Sequence, residues 1–380
     1  MVHLNLLFFP AIALPYVVAS TLPIVGRHSY DVVISTAPLT DTGRLDPFAN
    51  DGSPRKIMVS SFSPVAGCRR RNLQKYMPAA TAAFEDEKFG AYGLPNGSFP
   101  ALELETCTPE ASFPRRTREQ EAFPLVLFSG ALGTSRLLYG SMLQSIAAAG
   151  YLVVSVDHPY DADVVEFPGG AMVEGVDISD DALEAALATR VDDIAFVHHQ
   201  LGNQSVANTL IPSHGDGCQK LRTRTAILGH SFGGAAAAAA MLRLPSIRGG
   251  VNLDGTMFGS VLSAGLTRPF LLMGHDNKTQ DTDPSWKETW PNLTGWKREL
   301  EVKGAAHYSF SDLPLVIETL GLQGHLPAEV GQLLGSIEGN RMMNLTVSYV
   351  TSFLDFVLKN KTRGVLFHAA GFPEVIVNAE

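Results

Sequence analysis

Between Phe123 and Lys303 the chain alternates two textures. Short, almost unbroken apolar runs occur at Pro124–Ser129, Tyr151–Asp157, Thr225–Gly229, Gly250–Leu253 and Pro269–Met273, and Glu299–Lys303 reads as a last strand. Between them lie longer stretches in which apolar residues return every three or four positions: Ser135–Ala149, Ile178–Leu201 and Phe232–Leu244. Runs of the first kind suit strands buried on both faces, and stretches of the second suit helices laid against them. Ser179 or Asp180 is available to cap the second helix. A further amphipathic helix is expected over 341–359. Upstream, Tyr30–Ile34 and Lys56–Ser60 are strand-like, and the turn residues between them predict antiparallel pairing. Residues 67–120 are rich in Pro, Glu and Arg and read as an irregular surface excursion. The expectation is an α/β fold with a mostly parallel central sheet, helices on both faces and antiparallel N-terminal strands. With no internal repeat or linker, residues 21–380 read as one domain with insertions.

Composition narrows the class. Of 380 residues, 45 % are hydrophobic and 18 % charged, which suits a buried core rather than a disordered chain. A net charge of -9 repels polyanions, and the one basic cluster, Arg69–Arg71, reads as a solvated turn, so no nucleic-acid partner is expected. Residues 1–20 read as a secretion signal. Leu4–Ala13 is apolar but too short to cross a bilayer, and small residues (Val18, Ala19, Ser20) follow at a cleavage point. A buried N-terminal strand is the competing reading. Six Asn-X-Ser/Thr sequons, at Asn96, Asn203, Asn277, Asn292, Asn344 and Asn360, fit a secreted, glycosylated product. Cys68 and Cys107 could close a disulfide in an oxidising compartment and leave Cys218 free, but spacing alone does not fix the pairing.

The chemistry concentrates at Gly229-His230-Ser231-Phe232-Gly233, a G-x-S-x-G string between a predicted strand and a predicted helix. A strand-to-helix turn that tight leaves no room for side chains at its flanks, which Gly229 and Gly233 satisfy. Six alanines, Ala235–Ala240, then let the helix press on the sheet, and its N-terminus aims N–H groups at an anion forming on Ser231. A serine hydroxyl needs a base to act as a nucleophile. His307, in the small-residue loop after the last predicted strand, is the candidate; His275 and His325 read as packing or surface histidines. For the acid, Asp254 follows one strand and Asp276 the next, and spacing leaves the two level. The loop Phe128-Ser129-Gly130-Ala131-Leu132-Gly133 should supply a second oxyanion donor, the Leu132 N–H, beside that of Phe232. No metal-ligand or phosphate-loop pattern stands in a supporting context, so no metal and no cofactor is expected.

These pieces together resemble the secreted platelet-activating factor acetylhydrolases, lipoprotein-associated phospholipases of the α/β-hydrolase superfamily. The resemblance runs from about Tyr30 to the C-terminal helix. It rests on Gly229–Gly234, Leu253-Asp254-Gly255-Thr256-Met257-Phe258, Lys303-Gly304-Ala305-Ala306-His307, the loop 128–133 and Arg44-Leu45-Asp46-Pro47-Phe48. The family's acid follows the strand immediately after the nucleophile helix, which implies Asp254. Where members carry His-Gly before the oxyanion leucine, this chain has Gly130-Ala131. The resemblance implies a secreted, metal-independent serine esterase. It would cleave a short or oxidised acyl ester at the second glycerol position of a phospholipid such as a 1-alkyl-2-acetylglycerophosphocholine. Its partners would be a small-molecule or lipid ester and, transiently, a lipid surface; the oligomeric state stays open. A general short-chain carboxylesterase, a polyester hydrolase and an inactive hydrolase-fold binding protein are the rival readings.

Overall fold

A computed structural model describes residues 19–111, 123–211, 223–368 and 371–380. Most of the expected leader and Cys218 lie outside the described residues. Nine strands form the large sheet: β1 (Asp31–Leu45), β2 (Pro54–Val65), β3 (Leu125–Ser129), β4 (Leu152–Asp157), β5 (Thr225–His230), β6 (Ile247–Leu253), β7 (Phe270–Gly274), β8 (Lys297–Val302) and β9 (Val375–Ala379). Their spatial order is β1-β2-β4-β3-β5-β6-β7-β8-β9. Strands β3 to β8 pair in parallel, while β1, β2 and β9 run antiparallel to their neighbours.

Because side chains alternate across a strand, each continuous apolar run feeds two core layers. Val126, Phe128, Val153 and Leu228 face the layer holding the helices Gly140–Ala148, Leu313–Thr319 and Gly339–Lys359. Leu125, Leu127, Val154 and Ile227 face the layer of Leu183–Gln200 and Phe232–Arg243. From β3 the chain crosses to β4 on one side, while β5 lies on the other. The carboxyl ends of β3 and β5 therefore flank a topological switch point, where open α/β sheets place their ligand sites.

Three segments differ from the expected pattern. Strand β1 continues past the supposed turn, and Asp41-Thr42-Gly43 sits at an irregularity in its pairing with β2 rather than at the hairpin tip. The expected antiparallel pairing of the two strands is found, but in a register set by a later turn: Val32 pairs with Pro64, and Lys56 with Thr40. Of the expected irregular excursion 67–120, the described part, 67–111, is ordered into elements. Arg71–Lys75 and Leu102–Cys107 pair antiparallel, Ser20–Leu22 adds in parallel, and a helix spans Ala79–Gly90. A disulfide joins Cys68 to Cys107, with 5.8 Å between their Cα atoms. Strand β9, short and at the sheet edge, had no periodic signal to announce it. Among the described residues no helix is long and apolar enough to cross a membrane.

Candidate active site

The turn after β5 is built as its glycines require. Ser231 has φ 56° and ψ -125°, a conformation that costs a non-glycine residue roughly 1–3 kcal/mol. A Cβ on Gly229 would lie 1.8 Å from the Gly233 carbonyl oxygen, and one on Gly233 would lie 2.0 Å from that of Ser129. The elbow thus closes directly on the loop after β3. Ser231 N–H bonds to the Leu253 carbonyl at 2.8 Å, tying the elbow to the end of β6.

Asp254 follows β6 with φ 62°, and its carboxylate is buried. His307 enters from the loop after β8. Ser231 Oγ donates to His307 Nε2 at 2.9 Å, and His307 Nδ1 donates to Asp254 Oδ2 at 2.5 Å. Serine, imidazole and carboxylate form one relay. Asp276 does not join it: its carboxylate accepts from Gly304 N at 2.9 Å and from Lys303 Nζ at 3.1 Å, in a half-exposed position. His325 lies on a separate loop. His275 reads differently from its expected packing role. Its backbone N–H and its Nδ1 both donate to Asp254 Oδ1, at 2.8 and 2.6 Å. Burial would raise the Asp254 carboxyl, but bonds from His275 and then His307 overcome it and hold the group well below the usual carboxylate range. Asp254, His275 and His307 are also the one cluster of metal-type ligands among the described residues, and these hydrogen bonds account for it.

His230, the variable position of the motif, points inward. Its Nε2 donates to the His307 carbonyl at 2.8 Å, so its Nδ1 accepts from the Tyr139 hydroxyl at 2.8 Å. Burial, reinforced by the neighbouring His307, brings its pKa down to about 3 and keeps the ring neutral. Phe232 opens the helix Phe232–Arg243, so its N–H has no intrahelical acceptor. Ser129 and Gly229 are register partners on adjacent strands, which brings the loop 130–133 alongside Ser231. Among the described residues the Leu132 N–H has no acceptor in the protein. Trp286 packs beneath the acid, its Nε1 donating to Gly255 O at 2.7 Å, while Trp296 stacks among Phe353, Phe356 and Phe367.

A second Ser-His-Asp chain runs through the interior. Ser129 Oγ donates to His158 Nε2 at 3.0 Å, and His158 Nδ1 donates to Asp193 at 2.9 Å. Arg55 and Arg44 also bind Asp193, and Arg55 binds Asp46, which gives Arg44-Leu45-Asp46-Pro47-Phe48 its place in the fold.

With this geometry in view, residues 100–165 and 218–363 match the family model described as platelet-activating factor acetylhydrolase, isoform II. The chain belongs to this family. It is 30 % identical over 360 residues to a probable 1-alkyl-2-acetylglycerophosphocholine esterase of Arthroderma benhamiae, covering 89 % of each chain. It is 22 % identical to the platelet-activating factor acetylhydrolase of Cavia porcellus, over 55 % of this chain and 54 % of that one. The structure of a ferulic acid esterase from Streptomyces cinnamoneus superposes with a TM-score of 0.79 at 26 % identity, covering 95 % of this chain and all of that one. As a member of the acetylhydrolase family the chain is an α/β-fold esterase that takes a small-molecule or lipid ester. His275, Tyr139 and the buried Arg190, whose Nε donates to Asp161 at 2.7 Å, had no local signal in the sequence: their partners lie 21, 91 and 29 residues away.

Proposed function

We propose that the protein hydrolyses a short acyl ester at the second glycerol position of a phospholipid, through an acyl-enzyme on Ser231. The observation that carries this is the continuous Ser231–His307–Asp254 relay at a strained elbow. Ser231 Oγ attacks the ester carbonyl as His307 Nε2 takes its proton, and the Leu132 and Phe232 N–H groups receive the oxyanion. Collapse expels the lysophospholipid alcohol, which regains a proton from His307. Water, deprotonated by the same imidazole, then releases the carboxylic acid and frees Ser231. Asp254 keeps the Nδ1 proton in place and stabilises the charged ring.

One support points to a short acyl group. The Arthroderma benhamiae relative bears the name of an acetyl-ester hydrolase. The likeness to a ferulic acid esterase favours a second reading, a general carboxylesterase. The test is hydrolysis, in chelator, of a 2-acetyl phospholipid, its long-chain counterpart and p-nitrophenyl butyrate, by wild type and Ser231→Ala. Acetyl release by wild type alone, with the long-chain lipid spared, is expected. Turnover of the nitrophenyl ester alone would move the substrate to the general esterases.

We also infer one domain over 21–380, exported after removal of 1–20 and glycosylated. Asn96, Asn203, Asn277 and Asn360 are exposed, and the disulfide suits an oxidising compartment. Expression in a secreting eukaryotic host should yield protein in the medium that begins near residue 21 and shrinks on deglycosylation.

A further inference from the structure

We propose that Arg190 is a positioning residue that sets the oxyanion hole by fixing the peptide planes of Gly130, Ala131 and Leu132. The inference rests on the reading of Leu132 N–H as an oxyanion donor.

Arg190 belongs to the helix Leu183–Gln200, and its guanidinium is buried beneath the loop after β3. Its Nη1 donates to the Gly130 carbonyl at 2.6 Å and to Ser129 Oγ at 3.0 Å, and its Nη2 donates to the Ala131 carbonyl at 3.2 Å. Across a trans peptide the C=O and the following N–H point in opposite directions. Holding the Gly130 carbonyl therefore turns Ala131 N–H away from Arg190, and that N–H meets Tyr139 Oη at 3.1 Å on the far side. Holding the Ala131 carbonyl turns Leu132 N–H the same way, and no group of the protein takes it among the described residues. One planar fork thus orients two successive amides, one satisfied internally and the other presented to substrate.

The anchor is rigid at both ends. Asp161 binds the guanidinium through Nε at 2.7 Å and through Nη2, and its own carbonyl accepts from Gly133 N at 2.9 Å. The guanidinium carbon also lies 4.9 Å from the ring centroid of Phe232, the residue of the second donor. From the loop the bonds continue through Tyr139 to His230 Nδ1, and from His230 Nε2 to the His307 carbonyl. Oxyanion loop, nucleophile elbow and base are thereby held in one frame. A lysine has three donors on one nitrogen and cannot reproduce the five bonds that Arg190 makes from three nitrogens to Asp161, Ser129 Oγ and the two carbonyls.

The test uses Arg190→Lys, which keeps a cation beside Asp161, and Tyr139→Phe, which keeps the ring and removes the bonds to Ala131 N–H and to His230 Nδ1. Each is assayed for kcat and KM on p-nitrophenyl butyrate. Each is also assayed for Ki of a trifluoromethyl ketone, whose adduct with Ser231 carries the tetrahedral oxyanion, and for the pH profile of kcat/KM. Loss of an oxyanion donor costs roughly 10²–10³ in kcat. Arg190→Lys should fall by about 10², and Tyr139→Phe by less. KM should change little, Ki should rise in proportion to the loss in kcat/KM, and the acid limb should stay at its wild-type pH. Wild-type kcat in Arg190→Lys, or a kcat loss with Ki unchanged, would overturn the proposal. So would a loss accounted for by a shifted acid limb or by unfolding of both variants. Failure of the serine-esterase reading itself is separable, because the wild-type enzyme would then also show no ketone inhibition and no Ser231-dependent turnover.

Discussion

Replacing Asp254 by Asn should all but abolish turnover, by a route the hydrogen bonds specify. Oδ1 of Asp254 accepts the backbone N–H of His275, and Oδ2 accepts His307 Nδ1–H. An asparagine has one oxygen and one NH2 for these two sites. The backbone N–H cannot tautomerise, so the amide oxygen stays with His275 and the NH2 turns to His307. His307 must then carry its proton on Nε2, where it can no longer accept from Ser231 Oγ. The same tautomer defect in a serine protease costs about 10⁴ in kcat, roughly 5.5 kcal/mol of barrier. Asp276→Asn removes bonds only to Gly304 and Lys303 in a half-exposed spot and should keep kcat within about threefold of wild type. The assay is kcat on p-nitrophenyl butyrate, with folding checked by thermal melts. An Asp254→Asn enzyme within tenfold of wild type, or a dead Asp276→Asn with a live Asp254→Asn, would refute the assignment.

Other outcomes follow from the same contacts. His275→Ala removes one charge-assisted bond to Asp254 at a position where water can enter, so kcat should fall by about tenfold or less with the fold intact. Gly233→Ala drives a Cβ against the Ser129 and Gly130 carbonyls, both backbone, and should lower stability by at least about 3 kcal/mol, read as lost soluble yield or a lower Tm. His230 supplies a pH signature. An unfolded histidine takes a proton near 6.5, whereas buried His230 resists it down to about 3. Between those values the unfolded state binds more protons, so the contribution of His230 is full above about pH 7 and is lost as pH falls. Its slope has a ceiling of about 1.4 kcal/mol per pH unit. Denaturant unfolding from pH 7 to 4 should show a shallower slope in His230→Gln than in wild type; equal slopes would sink the idea.

Legibility of the chain tracked how local each feature is. The strands β3 to β8 announce themselves because burial on both faces makes them continuous apolar runs. Ser231 is legible because a steric demand on Gly229 and Gly233 is written within five residues. The hairpin register was not: an irregularity between Asp41 and Leu45 resembles a turn in sequence, and only pairing with β2 shows the strand continuing. Nor was the choice between Asp254 and Asp276 decidable from spacing. Each follows a strand end, and which one reaches His307 depends on how the loop after β8 folds over the sheet. The polar groups beneath the site were hidden for the same reason. Arg190 looks like any helical arginine until Asp161 and the loop after β3 are brought to it.

The two Ser-His-Asp chains of this molecule show what a relay needs beyond its distances. Ser129–His158–Asp193 has bond lengths close to those of Ser231–His307–Asp254. Ser129, however, is wholly buried at the end of β3, in extended backbone, and its Oγ already accepts from Arg190. A lone pair so engaged is less available for attack, and no approach exists for an ester. Asp193 is further neutralised by Arg44 and Arg55, so it offers less to a developing imidazolium. Ser231, by contrast, stands on a positive-φ turn at the switch point, between one amide freed by a helix start and another freed by the hold of Arg190. On the proposed mechanism, reactivity lies in a Ser231 that is only partly buried and in backbone donors without protein partners beside it. A fluorophosphonate probe should label Ser231 and leave Ser129 untouched, and peptide mapping of the labelled protein would decide between them. Label on Ser129, or label surviving in Ser231→Ala, would overturn this account of the site.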